Sequence, residues 1–170
     1  NTACKAMDRV SLDLIYARPN QTLKSWEQEL LVGLSTGVNH ISLYQLTIEK
    51  GTKFFSAQRK GAFKLPNEDL ATELFLATRD ICQTKGFPAY EVSNHAKPGQ
   101  ESRHNLAYWR GQNYVGIGPG AHGRVKINGS PYSTEQISSP ENWLQTVEKQ
   151  GHGTRKLENL PKKIQIEELL

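Results

Sequence analysis

Length, composition and charge describe an ordinary globular chain and exclude several classes of protein. With 170 residues the chain is long enough for one domain, or one and part of another, with a buried core. Its net charge of +4 comes from Lys and Arg residues scattered along the chain, which argues against a nucleic-acid-binding face, and no apolar run approaches the ~20 residues of a membrane span.

The first predicted element is a strand over Val10–Tyr16, apolar on both faces and ended by Pro19. This pattern is typical of a buried strand in a parallel sheet. Asp13 interrupts it, and a buried charge is costly unless it is paired or functional. Two interpretations stay open on these residues alone: a salt bridge to Arg9 or Arg18, or a carboxylate that points into a ligand cavity.

A helix and a second strand follow. Thr22 is a suitable N-cap for a helix to Thr36, whose apolar residues recur at helical spacing at Leu23, Trp26, Leu30 and Leu34. The segment His40–Glu49 then predicts a strand, so that a right-handed βαβ unit results. Functional groups gather at the carboxyl ends of such strands, where the sequence has Tyr16, Gln45, Thr47 and Glu49.

A basic loop and a long helix come next. Residues 51–65 carry several Lys and Arg residues and predict a solvated loop. Asn67 caps a helix that runs to Lys85 and ends at Gly86. Its buried side is expected to consist of Leu70, Leu74, Ala77, Ile81 and Cys82.

Helical periodicity disappears after Gly86. A brief strand is predicted at Tyr90–Ser93 and a turn at Lys97–Gly99. The pair Asn128-Gly129 predicts a β-hairpin within Val125–Tyr132.

The last third of the chain reads as helix, linker and helix. Pro140 opens a helix that ends at Gly151, because proline suits the first turn and glycine the position after the last. Residues 151–159 predict a polar linker, and a second helix is expected over Pro161–Leu170.

The cysteines and the two chain ends indicate the cellular location and the extent of the polypeptide. Cys4 and Cys82 give neither a disulfide framework nor a metal-ligand pair, and the start of the chain is not a signal peptide, so we expect a reducing, cytoplasmic location. The chain begins at Asn1 and ends at Leu170 within a helical pattern. We therefore expect a piece of a longer polypeptide, with absent motifs outside it.

The most unusual residues lie in Arg103–Arg110 and in the glycine run Gly116–Gly123. His104 stands close to Tyr108 and Trp109, and the neutral imidazole of histidine is the usual proximal ligand of haem. On these residues alone the alternative is that both rings belong to the core and His104 is their hydrogen-bonded neighbour. The glycines are expected to bring backbone close to a ligand or to a barrel mouth.

Two other interpretations of these segments fail on their context. A dinucleotide fingerprint lies between a strand and a helix, whereas a hairpin follows Gly116–Gly123. His95, His104 and His122 are too widely spaced to predict a zinc site.

Several ordered segments together resemble one known family. They are Ser11–Tyr16, His40–Thr52, Leu65–Asp69, Tyr90–Asn94, Lys97–Gly99, His104–Trp109 and Gly116–Gly123. In this order they are similar to the HemW family, radical S-adenosylmethionine (SAM) proteins related to oxygen-independent coproporphyrinogen III oxidase. The resemblance runs from about Val10 to the C-terminus.

The resemblance implies an α/β fold, the C-terminal part of a partial (β/α)6 radical SAM barrel with a post-barrel α+β extension. Residues 1–88 would be the last barrel strands and helices, 89–155 the extension with its hairpin, and 156–170 the start of a truncated C-terminal domain. The three cysteines that hold the family's iron–sulfur cluster would lie before Asn1, with the first four strands. This chain is then expected to contain no metal ligand.

The resemblance also assigns cofactor-binding residues. Asp13 matches the aspartate that contacts the SAM ribose, and the segment that closes over SAM matches Gly120, Ala121 and His122. The family's haem-associated motif matches His104, Asn105, Tyr108 and Trp109. These matches favour the functional interpretations of Asp13 and His104, whereas no catalytic residue is assigned.

Three functions follow as expectations. The first is a haem chaperone that binds haem, SAM and a 4Fe–4S cluster and delivers haem to acceptor proteins. The second is an oxygen-independent coproporphyrinogen III oxidase, and the third is an α/β interaction module without a cofactor. The chain alone is expected to be inactive, and open strand edges are expected to favour self-association.

Overall fold

The computed structural model describes residues 2–168, which divide into two compact units, one ending at Ser102 and one beginning at Arg103. The elements of the first unit are α1 (Thr2–Ala6), β1 (Ser11–Tyr16), α2 (Leu23–Leu34), β2 (His40–Gln45), α3 (Lys53–Arg59), α4 (Glu68–Thr84) and β3 (Asn94–Ala96). Within residues 2–168, none of the helices has the length and apolar character needed to cross a membrane.

The sheet of the first unit has the strand order β1-β2-β3. β1 and β2 are parallel, with Asp13 opposite Ser42 and Tyr16 opposite Gln45, as the predicted βαβ unit requires. β3 adds to the other side of β2 in the antiparallel direction. β1 is therefore an edge strand of this sheet, and self-association through that edge stays a prediction.

The core lies on one face of this sheet. Leu12, Leu14 and Tyr16 of β1 belong to or pack against a cluster with Trp26 and Leu30 of α2, both of which are fully buried. Tyr16 stacks on Trp26 with ring centroids 5.4 Å apart. Removing such side chains from water is the main stabilising contribution to a domain of this size.

The opposite face of β1 differs from the prediction. Ser11 and Asp13 are exposed, and so is 47% of Ile15, whereas the sequence predicted a strand buried on both faces. Side chains alternate between the faces of a strand, so one face packs on helices and the other carries the carboxylate.

The two long helices begin at their predicted caps and end within two residues of the predicted positions. The Thr22 side chain accepts from the Ser25 backbone N–H at the start of α2, and the Asn67 side chain accepts from Leu70 at the start of α4. Gly86 has φ +80° after the end of α4, a left-handed conformation that glycine adopts without strain.

Three local predictions for the first unit are wrong. Residues 53–59 form helix α3, capped by Thr52, instead of a loop. β2 ends at Gln45, four residues earlier than predicted, and the strand predicted at Tyr90–Ser93 lies instead at Asn94–Ala96. β3 exists because β2 offers it a partner, since a strand of three residues has no periodicity of its own to detect.

The second unit contains α5 (Arg103–Trp109), β4 (His122–Ile127), β5 (Ser130–Gln136), α6 (Pro140–Gln150), β6 (Thr154–Asn159) and α7 (Lys162–Glu167). β4, β5 and β6 form an antiparallel sheet in that order. The predicted hairpin is confirmed, with Asn128 at φ +49° and Gly129 at φ +81° as a two-residue turn requires.

The last elements divide the predictions. Helix α6 is confirmed, with Ser139 as its N-cap, Pro140 in its first turn and Gly151 at φ +82° after it. The polar linker predicted over residues 151–159 is wrong from Thr154 onward, because this segment pairs with β5. Of the helix predicted over Pro161–Leu170, Lys162–Glu167 is present, whereas Leu169 and Leu170 lie outside the described residues.

The proposed domain boundaries after residues 88 and 155 stay predictions. The compact units divide after Ser102, because β3 at Asn94–Ala96 belongs to the first sheet, and β6 belongs to the second.

One buried hydrogen bond connects α2 with α4 and provides a test of this core. Trp26 Nε1 donates to Thr78 Oγ1 at 2.7 Å, and Thr78 Oγ1 donates to the Leu74 carbonyl at 2.6 Å. Thr78→Val leaves the indole N–H buried without an acceptor, and we expect it to lower the free energy of unfolding by about 1–3 kcal/mol in urea denaturation. Thr72→Val, an exposed position on the same helix, is the matched control. Equal effects of the two substitutions would contradict this account of the core.

Candidate functional site

Asp13 lies on the exposed face of β1 in the first unit. Neither arginine that was expected to form a salt bridge with Asp13 does so. Arg9 donates to the carbonyls of Gly99 and Glu101, and Arg18 pairs with Glu29. The structure therefore does not support the structural explanation of this carboxylate. Its oxygen atoms remain on a sheet face that other polar groups share.

These polar groups form a hydrogen-bonded chain. Ser11 Oγ lies 3.4 Å from Asp13 Oδ1 and 2.7 Å from His40 Nδ1, and His40 Nε2 lies 2.7 Å from the Tyr90 hydroxyl. Ser102 N–H donates to that hydroxyl over 3.4 Å. If His40 carries its proton on Nδ1, every donor is used: Tyr90 donates to His40, His40 to Ser11, and Ser11 to Asp13.

Burial sets the protonation of this histidine. It lowers the pKa of His40, and the negative charge of Asp13 opposes that effect. Arg9 lowers the pKa further, whereas Glu91 raises it. His40 is thus a neutral hydrogen-bonding group near neutral pH.

Two residues of β3 complete the polar region of the first sheet. Asn94 pairs with Ser42 and lies on the same face as Asp13, and its buried Oδ1 has no hydrogen-bond partner among the described residues. His95 lies on the opposite face and is 2% exposed. Burial lowers the pKa of His95 as well.

In the second unit, the haem-associated motif lies on a helix, where the sequence predicted no helix. Helix α5 places His104 and Tyr108 four residues apart and therefore on one side, with Asn105 and Trp109 on an adjoining side. The rings of His104 and Tyr108 meet edge to face at 4.8 Å, and Tyr108 meets Tyr114 in the same way at 4.5 Å.

The exposure of these side chains tests the interpretation of the two rings as core residues. His104 is exposed, Tyr108 is 43% exposed and Trp109 is 47% exposed, whereas core aromatic residues such as Trp26 are fully buried. The interpretation of Tyr108 and Trp109 as core residues is wrong. An exposed group of rings beside an imidazole instead suits a flat ligand.

The two ends of the glycine run, Gly116 and Gly123, lie close to each other's backbone. A Cβ on Gly116 would collide with the His122 carbonyl, and one on Gly123 would come within 2.9 Å of the Gly116 backbone nitrogen. For Gly116 and Gly123, the expectation that the glycines admit a ligand is therefore replaced by packing of the Tyr114–Gly116 segment against β4. Positions packed this closely do not accept a side chain without a shift of the backbone.

The residues expected to close over SAM, Gly120, Ala121 and His122, come directly after this packed segment. Gly120 has φ +70°, and Ala121 accepts a backbone hydrogen bond from Gln136 at 2.8 Å. His122 is exposed and pairs with Glu135 in the sheet. Asp13 belongs to the first unit, and these three residues belong to the second with the haem-associated motif.

Sequence reasoning missed a cavity of about 410 Å³ in the second unit. Its lining includes Tyr108, Tyr114, Arg110, Arg124, Lys126 and Glu168. Arg124 and Glu168 form a two-pronged ion pair across it, at 2.6 Å and 3.1 Å. The alternation of Arg124 and Lys126 in a strand was the available signal, although nothing local connects them with Glu168, 44 residues away.

In residues 2–168, no group of three or more His, Cys, Asp or Glu side chains is arranged to hold a metal ion. Burial raises the pKa of the Cys82 thiol to about 12, which keeps it protonated and unsuited to bind iron.

Comparison with known proteins identifies the family. No family model matches the chain. This chain is 43% identical to "Radical S-adenosyl methionine domain-containing protein 1, mitochondrial" of Mus musculus and 34% identical to "Heme chaperone HemW" of Bacillus subtilis. Each match covers 95% of the chain. The chain belongs to the HemW family. It spans 38% of the mouse protein and 41% of the Bacillus protein, so it matches about two-fifths of these relatives.

A solved structure supports the same fold. Coproporphyrinogen III oxidase (HemN) of Escherichia coli, a radical SAM enzyme, matches 93% of the chain with a TM-score of 0.69 and 19% identity. The match covers 38% of that enzyme. The predicted fold, the C-terminal part of a radical SAM barrel with its extension, is confirmed, and at this identity the likeness concerns the fold alone.

The two buried histidines of the first unit predict how stability depends on pH. Burial lowers the pKa of both His40 and His95 in the folded state, so the unfolded chain binds more protons once the pH falls below about 6.5. We expect the free energy of unfolding to keep its full value only well above that pH and to fall as the pH is lowered from about 7.5 to about 5.5. Urea denaturation over this range should show a shallower decline for His40→Asn, whereas the exposed His152→Asn should follow the unmodified chain. A flat profile would contradict the assignment.

Proposed function

We propose that the polypeptide containing this chain is a haem chaperone of the HemW type, which binds haem, SAM and a 4Fe–4S cluster and passes haem to acceptor proteins. The observation that carries the proposal is the ring group in which the exposed His104 and Tyr108 of α5 meet Tyr114, in a chain whose relatives include proteins named heme chaperones.

The residues of the motif fit haem. An exposed imidazole offers a nitrogen to the iron, and the neighbouring rings offer apolar surface to the flat macrocycle. Because Tyr108 and Trp109 are only half covered, binding would bury area that is now in contact with water. That burial favours association without a deep pocket, which suits a protein that must also release its ligand.

Asp13 fits the SAM side of the proposal. Its carboxylate accepts from Ser11, which is hydrogen-bonded to His40, and so the side chain is oriented without a cationic partner. A carboxylate in that state accepts hydrogen bonds from a pair of ribose hydroxyls. For Gly120, Ala121 and His122 of the second unit, contact with SAM is a separate proposal.

The cluster needs thiolates that this chain does not offer. Cys82 is buried with a raised pKa, and Cys4 donates to the Thr36 carbonyl at 3.8 Å. A 4Fe–4S cluster is held by cysteine thiolates, which we place in the preceding part of the polypeptide. When bound, that cluster would supply the electron for SAM cleavage, and the chain by itself would carry out no radical chemistry.

The second candidate is an oxygen-independent coproporphyrinogen III oxidase. The likeness of fold to HemN favours it, but at 19% identity this carries no residue-level argument, whereas the chain is 34% identical to the Bacillus relative named a heme chaperone. For the location we retain the cytoplasm as a separate proposal, made from two free cysteines. The mouse relative is named a mitochondrial protein.

Haem titration of the intact polypeptide tests the chaperone function. The unmodified protein should shift the Soret band of haem, and His104→Ala should weaken binding by about tenfold or more because the iron loses its nitrogen ligand. His152→Ala removes another exposed histidine of the second unit and should leave the titration unchanged. An unmodified protein without a Soret shift, or a His104→Ala protein with an unaltered one, rejects the proposal.

A separate measurement tests Asp13. Asp13→Asn removes the charge that strengthens hydrogen bonds to ribose hydroxyls, and it should weaken SAM binding by about tenfold in equilibrium dialysis of the cluster-loaded polypeptide. Haem affinity should not change. Asp80→Asn, at an exposed position of α4, serves as the control. Equal SAM affinity in the Asp13 and Asp80 variants would remove Asp13 from the site.

A further inference from the structure

The cavity of the second unit brings rings and cations to one side of a sheet. Tyr114 and Arg124 form an isolated antiparallel bridge, with backbone hydrogen bonds of 2.7 Å and 2.9 Å in the two directions. Residues directly opposite each other in such a pair have their side chains on the same face. Lys126 is two residues further along β4 and shares that face.

The aromatic surface extends beyond Tyr114. Its ring meets that of Tyr108, and Tyr108 meets His104, so that three rings follow one another from the cavity to the haem-associated histidine. Tyr108 and Tyr114 both line the cavity. At about 410 Å³ the cavity has the size of a small-molecule site, for which ~300–1,000 Å³ is typical.

Arg124 is held ready for a carboxylate. Its Nη1 donates to the Gly123 carbonyl at 2.9 Å, and its Nε and Nη2 donate to the two carboxylate oxygens of Glu168. This forked pairing raises the pKa of Arg124 and lowers that of Glu168. The guanidinium is thus fixed in position, and its pairing with Glu168 shows that this geometry suits a carboxylate.

We infer that this cavity binds the carboxylate-bearing edge of a planar macrocycle, with a ligand carboxylate replacing Glu168 on Arg124. The inference rests on the proposed function, because haem carries two carboxylates on a flat ring system. Tyr108 and Tyr114 would contact the plane of the ring, and Lys126 would neutralise the remaining charge. His104 contacts the ring of Tyr108 and would offer its nitrogen to the iron.

Glu168 then acts as an internal competitor. Its carboxylate pairs with the Arg124 guanidinium when no ligand is present, so the cation is not left unpaired. The ligand carboxylate then takes its place. Exchange of one carboxylate for another keeps the number of charge-assisted hydrogen bonds constant. Such a site binds its ligand reversibly, as delivery to another protein requires.

Metal-free protoporphyrin IX tests the carboxylate contact apart from the iron. It keeps the ring and both carboxylates, but it cannot be ligated by His104. In the intact polypeptide its fluorescence titration should show binding, and the dimethyl ester of the same porphyrin should bind about tenfold more weakly or worse. Arg124→Gln should weaken binding of the acid about tenfold and leave the ester unchanged. Glu168→Gln should strengthen binding of the acid several-fold.

Two control variants make the test independent of general effects. Arg155→Gln removes an arginine that also pairs with a carboxylate, Glu135, on the same sheet, and it should bind the acid like the unmodified protein. Arg124→Lys retains the charge without the fork and should fall between the unmodified protein and Arg124→Gln. If Arg124→Gln loses its circular-dichroism spectrum, Arg124→Lys and the ester comparison decide the question.

The outcomes separate this inference from the proposed function. Equal binding of acid and ester, equal effects of Arg124→Gln and Arg155→Gln, or displacement of the porphyrin by SAM would overturn the inference. Haem binding that depends on His104 but not on Arg124 would overturn it while the haem chaperone stands. Ester-sensitive, Arg124-dependent porphyrin binding in a protein that delivers no haem would support the site and reject the chaperone.

Discussion

The parallel pairing of β1 with β2 is the constraint on which the first unit depends. It places Leu12, Leu14 and Tyr16 against α2 and α4, and the alternation of side chains then leaves Asp13 on the other face. A shift by one residue would exchange the two sets and put a carboxylate into the core. The partly buried leucines on either side of Asp13 therefore fix the face of the sheet on which it lies.

That polar face has its own order. His40 connects Ser11 with Tyr90, and its low pKa keeps it neutral, so that a hydrogen-bonded chain and not an ion pair orients Asp13. A carboxylate neutralised by an arginine would be a weaker acceptor for a new ligand. The available arginines bind backbone carbonyls or Glu29 instead, which leaves the charge of Asp13 for another partner.

In the second unit the corresponding constraint is steric. The absence of side chains at Gly116 and Gly123 lets the segment after α5 lie directly against β4, and this contact sets Tyr114 opposite Arg124. The glycine run thus serves the site indirectly. It positions a ring and a guanidinium next to each other, whereas the ligand would meet the side chains and not the glycines.

What the sequence determined by itself is local. Thr22 and Asn67 cap their helices, apolar spacing selects the buried sides of α2 and α4, and Asn128-Gly129 closes the hairpin, because each of these effects acts over a few residues. Ordered segments also sufficed to identify the family. Tertiary structure alone decided the short strand β3 and the polar strand β6, since both form only where a neighbouring strand offers hydrogen bonds. It likewise decided the Arg124–Glu168 pair, because only the folded chain brings together two charges 44 residues apart.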